Sequence, residues 1–77
     1  MHPLAFLEVY MIRVMVNGAG GKMGREVVKA VHNDPDLTLV GGIDPTKAGE
    51  DVGSVAGIEQ LGIKMNASID EVIDEVL

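Results

Sequence analysis

Between Asn17 and Arg25 the chain reads Gly18-Ala19-Gly20-Gly21-Lys22-Met23-Gly24, and this run constrains the fold more than any other. Glycine at this density permits a sharp turn and a close approach of backbone to backbone or ligand. The flanks decide what the turn connects. Ahead of it, Ile12, Val14 and Val16 alternate with Arg13, Met15 and Asn17, which predicts a strand. Behind it a helix is expected over roughly Lys22 to His32. Met23, Val27, Ala30 and Val31 fall on one apolar stripe, with Arg25, Lys29 and His32 facing water. Asn33-Asp34-Pro35-Asp36 stops that helix, because a residue before proline avoids the helical region.

A strand, a glycine turn and a helix in this order can cradle a pyrophosphate. Gly18 permits the tight exit from the strand. Gly21 lets the backbone approach the phosphates, and Gly24 lets the helix pack closely on the strand. Free amides at the helix start, carrying its partial positive charge, attract the anion, and Lys22 adds a mobile cation. A plain connecting turn is the competing reading of the glycines alone. The spacing is Gly-x-x-Gly-x-x-Gly, with Met23 in the place of the last glycine of the strict Gly-x-Gly-x-x-Gly form.

Leu37 to Ile43 predicts a second strand with Leu37, Leu39, Val40 and Ile43 as apolar members. Gly41-Gly42 weakens it unless another backbone packs close by. Asp44 ends it about where a ribose-binding acid belongs. Such a carboxylate accepts hydrogen bonds from the adenosine ribose hydroxyls and repels a 2′-phosphate. The competing reading of Asp44 is a turn former before Pro45. Lys47 lies close behind, either offsetting that repulsion or standing as an ordinary surface lysine. From Thr46 to Gly62 a loop is expected, with a short helical turn around Asp51–Ala56. Ile63-Lys64-Met65 reads as a brief third strand.

Ser68-Ile69-Asp70-Glu71 has the form of a capping box opening a last helix. Ile69, Val72, Ile73, Val76 and Leu77 make its apolar face, and Asp70, Glu71, Asp74 and Glu75 its solvated face. The fold class expected from this order is α/β: an incomplete Rossmann-type parallel sheet, comprising the first strand-helix-strand unit plus a following short strand and helix. The first strand should lie centrally in the complete order. Its second edge is expected to be bare unless a continuing chain or a partner covers it.

Seventy-seven residues suffice for one small domain. Residues 1–10, MHPLAFLEVY, read as an N-terminal extension without the basic start and cleavage site of a signal peptide, and 11–77 as the N-terminal part of a dinucleotide-binding domain. An edge strand is the alternative for the extension, since Pro3 is tolerated there. The net charge of −6 and a single Phe and Tyr argue against nucleic-acid partners. No apolar run approaches the ~20 residues of a membrane span. The lack of cysteine removes disulfides and thiolate metal sites and fits a reducing, cytoplasmic setting. His2 and His32 stand apart without carboxylate company, Ser54 and Ser68 have no nearby base, and no metal-ligand spacing occurs. No catalytic residue is expected in this chain.

On Ile12-Arg13-Val14, Asn17 through Arg25, Leu39-Val40-Gly41, Asp44, Glu50-Asp51-Val52-Gly53, Ala56-Gly57, Gly62-Ile63 and Ser68-Ile69-Asp70, the chain resembles the 4-hydroxy-tetrahydrodipicolinate reductase (dihydrodipicolinate reductase) family. The resemblance implies a parent enzyme of diaminopimelate and lysine biosynthesis. Such enzymes transfer hydride from NADPH or NADH to a small cyclic dicarboxylate and usually assemble as homo-tetramers. Carried over, the pyrophosphate turn is Gly18, Ala19, Gly20, Gly21, Lys22 and Met23, and the ribose acid is Asp44. Many relatives place an arginine directly after that acid, where this chain has Pro45. The family's His-His segment and downstream lysine have no counterpart here, so this chain alone is not expected to catalyse. Two other readings stand beside it: another Rossmann dehydrogenase of the aspartate or homoserine type, or a non-catalytic nucleotide-binding module.

Overall fold

The computed structural model describes residues 12–76. The expected extension over residues 1–10 and the last apolar residue, Leu77, lie outside them. The elements are β1 (Ile12–Asn17), α1 (Lys22–Asn33), β2 (Leu37–Ile43), a 3-10 turn (Pro45–Lys47), α2 (Val52–Ala56), β3 (Met65–Asn66) and α3 (Ile69–Val76). The three strands are parallel in the order β1-β2-β3. This is the incomplete Rossmann-type α/β sheet expected, with the third strand moved to Met65–Asn66.

Branched apolar residues build β1, and its pairing with β2 runs from Ile12 opposite Leu37 to Asn17 opposite Ile43. The register slips once. Val14 faces Leu39 and Met15 faces Gly41, so Val40 is an extra residue, a bulge in β2. The bulge resets which face Gly41 and Gly42 present. A Cβ on Gly41 would lie 2.8 Å from Val72 of α3, and one on Gly42 would lie 2.9 Å from Val52 and 3.1 Å from Ala19. The two glycines are thus filled against side chains from opposite layers. Helix α3 covers one face of the sheet, and α1 with α2 covers the other. The core between β1, β2 and the α1–α2 layer is Val16, Ala19, Val28, Val52, Ala56 and Met65.

The phase of α1 differs from the expected stripe. Val28 is fully buried and Val31 nearly so, while Met23 is 79% exposed, and Val27 and Ala30 face outward. Gly24 sets this phase. A Cβ there would collide with the Gly18 carbonyl oxygen, so the Gly24 side of the helix is the one pressed on the strand exit. Counting on by four and seven reaches Val28 and Val31. Val28→Ala should therefore cost about 2 kcal/mol in chemical denaturation, from the two lost methyl groups and the cavity left behind. Met23→Ala should stay within about 0.5 kcal/mol of the parent. The reverse ranking would contradict this packing.

Among the described residues β1 pairs on one side only. Beside its free edge runs a shallow apolar groove lined by Val14, Met15, Asn17, Gly21, Met23 and Val27. At the other end of the chain, the Glu71 carboxylate reaches back over the start of α3 as expected. Its partner is the Ala67 amide at 3.2 Å, one residue ahead of the expected Ser68.

Candidate dinucleotide-binding site

The glycine turn is fastened to β2 before it reaches the helix. Gly18 takes a left-handed φ of +76°, which favours glycine. The amides of Gly18 and Ala19 both donate to the Ile43 carbonyl, at 2.7 and 3.0 Å. The Ala19 methyl sits in the core. These two residues therefore position the turn, and their amides are already engaged. The Gly21 amide donates to the Gly18 carbonyl at 3.0 Å and closes the turn.

Gly21 caps α1 in extended conformation, with no side chain capping the helix. The Arg25 amide makes the first helical bond, to the Gly21 carbonyl at 2.9 Å. The amides of Lys22, Met23 and Gly24 consequently stand outside the helical ladder, at the positive end of a twelve-residue helix with no acid in its first turn. A Cβ on Gly21 would meet only the Gly18 carbonyl oxygen, at an ordinary 3.5 Å, and otherwise open space. The fold does not need glycine at that position to avoid a clash. An anion approaching the helix mouth does. Lys22 is exposed beside it.

Gly20 has a different reason to be glycine, one that the sequence reading missed. A Cβ there would lie 2.5 Å from Asp44 Oδ2 and 2.7 Å from Lys47 Cγ. The end of β2 and the 3-10 turn thus close over the glycine turn. Asp44 Oδ1 accepts from the Thr46 amide at 2.9 Å and the Thr46 hydroxyl at 2.8 Å, so the turn-forming role is real. Oδ2 is left on the Gly20 side. The Asp44 carboxyl is held below its ordinary pKa, chiefly by the Thr46 hydroxyl and amide, with help from the Gly20 amide and the Lys47 charge. It presents a carboxylate beside the turn at neutral pH, in position to accept from a hydroxyl.

Sequence reasoning also missed Asp51. Its carboxylate accepts from the amides of Ser54 (2.9 Å), Leu61 (3.0 Å), Gly62 (2.8 Å) and Ile63 (3.1 Å), and from the Ser54 hydroxyl at 3.3 Å. One side chain therefore caps α2 and gathers the loop that leads into β3. The Asp-x-x-Ser spacing signalled the cap, whereas the contacts ten to twelve residues away had no local signal. Desolvation is the largest single influence on this carboxyl and raises its pKa. The four amides together outweigh it and bring the value from 3.8 down to about 2. A depressed carboxyl stabilises the fold above its unfolded pKa and loses that contribution as pH falls through the folded one. Measured against the unfolded-chain rate at each pH, amide exchange at Leu61, Gly62 and Ile63 should therefore accelerate between pH 4 and pH 2. In Asp51→Asn it should be fast already at neutral pH. Equal protection in that variant would show that the carboxylate does not hold the loop.

His32 has a carboxylate neighbour after all, with Nε2 lying 3.6 Å from Glu59 Oε1 on the far side of α1. Among the described residues no cluster of His, Asp and Glu could hold a metal, and no helix is long and apolar enough to cross a membrane.

A parallel sheet layered on both faces, with a glycine turn delivering a bare helix N-terminus beside a strand-end carboxylate, defines the opening unit of a Rossmann-type nucleotide-binding domain. The family model described as "Dihydrodipicolinate reductase, N-terminus" matches residues 12–77. Curated relatives point the same way. The chain is 51% identical over 65 residues to 4-hydroxy-tetrahydrodipicolinate reductase of a Synechocystis species, covering 82% of this chain and 24% of that one. It is 51% identical over 61 residues to that of Thermosynechococcus vestitus, covering 79% and 22%, and 59% identical over 51 residues to that of a Nostoc species, covering 64% and 18%. The chain belongs to the dihydrodipicolinate reductase N-terminal family. Its matches span about a quarter or less of the length of these relatives.

Proposed function

We propose that this chain is the adenosine- and pyrophosphate-binding part of an NAD(P)H-dependent 4-hydroxy-tetrahydrodipicolinate reductase. The observation that carries the reading is the open space over Gly21 at the mouth of α1, next to amides that the helix does not use. A diphosphate fits such a mouth, because it meets backbone donors and a positive helix end without displacing a side chain. The Lys22, Met23 and Gly24 amides hold it, Gly20 and Gly21 shape the mouth in front of them, Gly18 and Ala19 fix the turn to β2, and the Asp44 carboxylate accepts from the adenosine ribose. When bound, NADH or NADPH supplies the hydride for a cyclic dicarboxylate. This chain's residues bind and orient the half of the cofactor remote from that hydride. The groups that contact substrate belong to the remainder of the parent protein, a homo-oligomer in this reading.

The relatives' names favour this over an aspartate or homoserine type of dehydrogenase. The test is the full-length protein mixed with NADH or NADPH and each candidate substrate. Loss of nicotinamide absorbance should require the cyclic dicarboxylate. Turnover with an aspartate-derived semialdehyde instead would reassign the enzyme. Absence of dinucleotide binding by calorimetry would end the proposal.

A further inference from the structure

The Gly21 carbonyl accepts from two donors of a single residue. The Arg25 amide reaches it at 2.9 Å, as the first bond of α1, and the Arg25 side chain adds its Nε–H at 3.4 Å. Side chains of a helix lean toward its N-terminus, so a long residue at this position lies back over the first turn. No carboxylate among the described residues lies within salt-bridge distance of the Arg25 guanidinium, and its neighbour Glu26 is paired with Lys29. The helix end it leans on is the positive one, with no acid in the first turn, where a cation is unfavourable. Charge therefore opposes this placement, and the bond to the Gly21 carbonyl is what holds it.

That carbonyl matters because of the other half of its peptide. The peptide linking Gly21 to Lys22 is planar and trans, so its C=O and N–H point opposite ways. With the Gly21 oxygen held toward the body of α1, the Lys22 N–H is turned outward, into the mouth. Gly20 and Gly21 lead into this peptide, and two successive glycines resist its rotation less than any other pair. We propose that Arg25 is a positioning residue for the diphosphate: its Nε–H pins the Gly21–Lys22 peptide and so fixes the Lys22 amide outward before the anion arrives. This rests on the dinucleotide reading above and adds to it a residue that the anion need not touch. A donor fixed in advance leaves less ordering to be done when the ligand binds.

Three substitutions in the full-length protein separate the donor from the charge. Arg25→Gln carries its amide nitrogen as many bonds from Cα as the arginine Nε, and has no charge. Arg25→Lys keeps the charge and puts a methylene at that place. Arg25→Met has neither donor nor charge. Calorimetry should show Arg25→Met weakening NADH and NADPH about fivefold and by equal factors, because the diphosphate is common to both. Arg25→Lys should lose as much, and Arg25→Gln should bind within about twofold of the parent. In steady state with the cyclic dicarboxylate, the same fivefold should appear in the KM for dinucleotide, with kcat within about twofold. Parental affinity in Arg25→Lys together with weak binding in Arg25→Gln would mean that the charge acts on the anion directly, which overturns the inference. Parental affinity in Arg25→Met, or a loss confined to kcat, overturns it as well. Gly21→Val separates the two levels. If it abolishes binding of both dinucleotides while Arg25→Met binds like the parent, only the role of Arg25 fails. If Gly21→Val itself binds like the parent, the dinucleotide site is misplaced.

Discussion

Gly24→Ala is expected to unfold this domain, although it places the best helix-forming residue inside a helix. Intrinsic propensity alone favours the change by about 1 kcal/mol. Packing opposes it more strongly. The added Cβ would run into the Gly18 carbonyl oxygen, with the Gly18 carbonyl carbon at 2.7 Å and Ala19 Cα at 2.9 Å. All three are main-chain atoms, so no side chain can rotate away. The Gly18 and Ala19 amides are tied to Ile43, and the Ala19 methyl is buried, so the turn cannot retreat without opening the core. Helix α1 would have to lift from β1, uncovering Val28. Overpacking of this kind costs about 3 kcal/mol, and a domain this small has only a few kcal/mol in total. Circular dichroism with thermal melting decides the matter. A Tm equal to or above the parent value would mean that propensity outweighs the contact and that α1 sits further from the turn than described.

The same contact explains how much of the fold could be read in advance. The strand and the glycine turn were legible because alternation and glycine density are local properties. So was the existence of α1. Its rotation was not legible from hydrophobicity, since Met23, Val27, Val28, Ala30 and Val31 offer apolar surface over much of the helix. Long apolar side chains suggested the Met23–Val27 stripe. The deciding residue was Gly24, which has no side chain to count. The bulge at Val40 was hidden for a related reason: Gly41 and Gly42 give no pattern, and their faces are fixed by Val72, Val52 and Ala19 from other elements.

The candidate site divides in the same way. The turn, the helix mouth and Asp44 follow from residue type and order. What Asp44 does with each oxygen depends on Thr46 and on the closure of Lys47 over Gly20, which are matters of backbone path. Asp51 was the largest omission. An acid ahead of a short helix reads as a cap, and its grip on Leu61, Gly62 and Ile63 exists only once the loop has folded back. It resembles a functional carboxylate in having a strongly lowered pKa, yet its acceptor positions are filled by amides of its own loop. Asp44, by contrast, keeps one oxygen turned toward the glycine turn.

Gly21→Val should produce the opposite result from Gly24→Ala: a folded protein that no longer binds dinucleotide. The backbone at Gly21, φ −78° and ψ 171°, is extended and open to any residue. The new side chain enters free space, with the Gly18 carbonyl oxygen at 3.5 Å as its nearest neighbour. The cost to folding is that of a poorer residue at the helix cap, about 1 kcal/mol. The cost to binding is far larger, because two methyl groups then occupy the volume in front of the Lys22, Met23 and Gly24 amides. A diphosphate held outside that volume loses several charge-assisted hydrogen bonds and the helix end at once, on the order of 4 kcal/mol or about a thousandfold in Kd. Calorimetry with NADH and NADPH, paired with a thermal melt of the same sample, reads both quantities. A domain that melts normally and still binds either cofactor at parental affinity would place the pyrophosphate elsewhere.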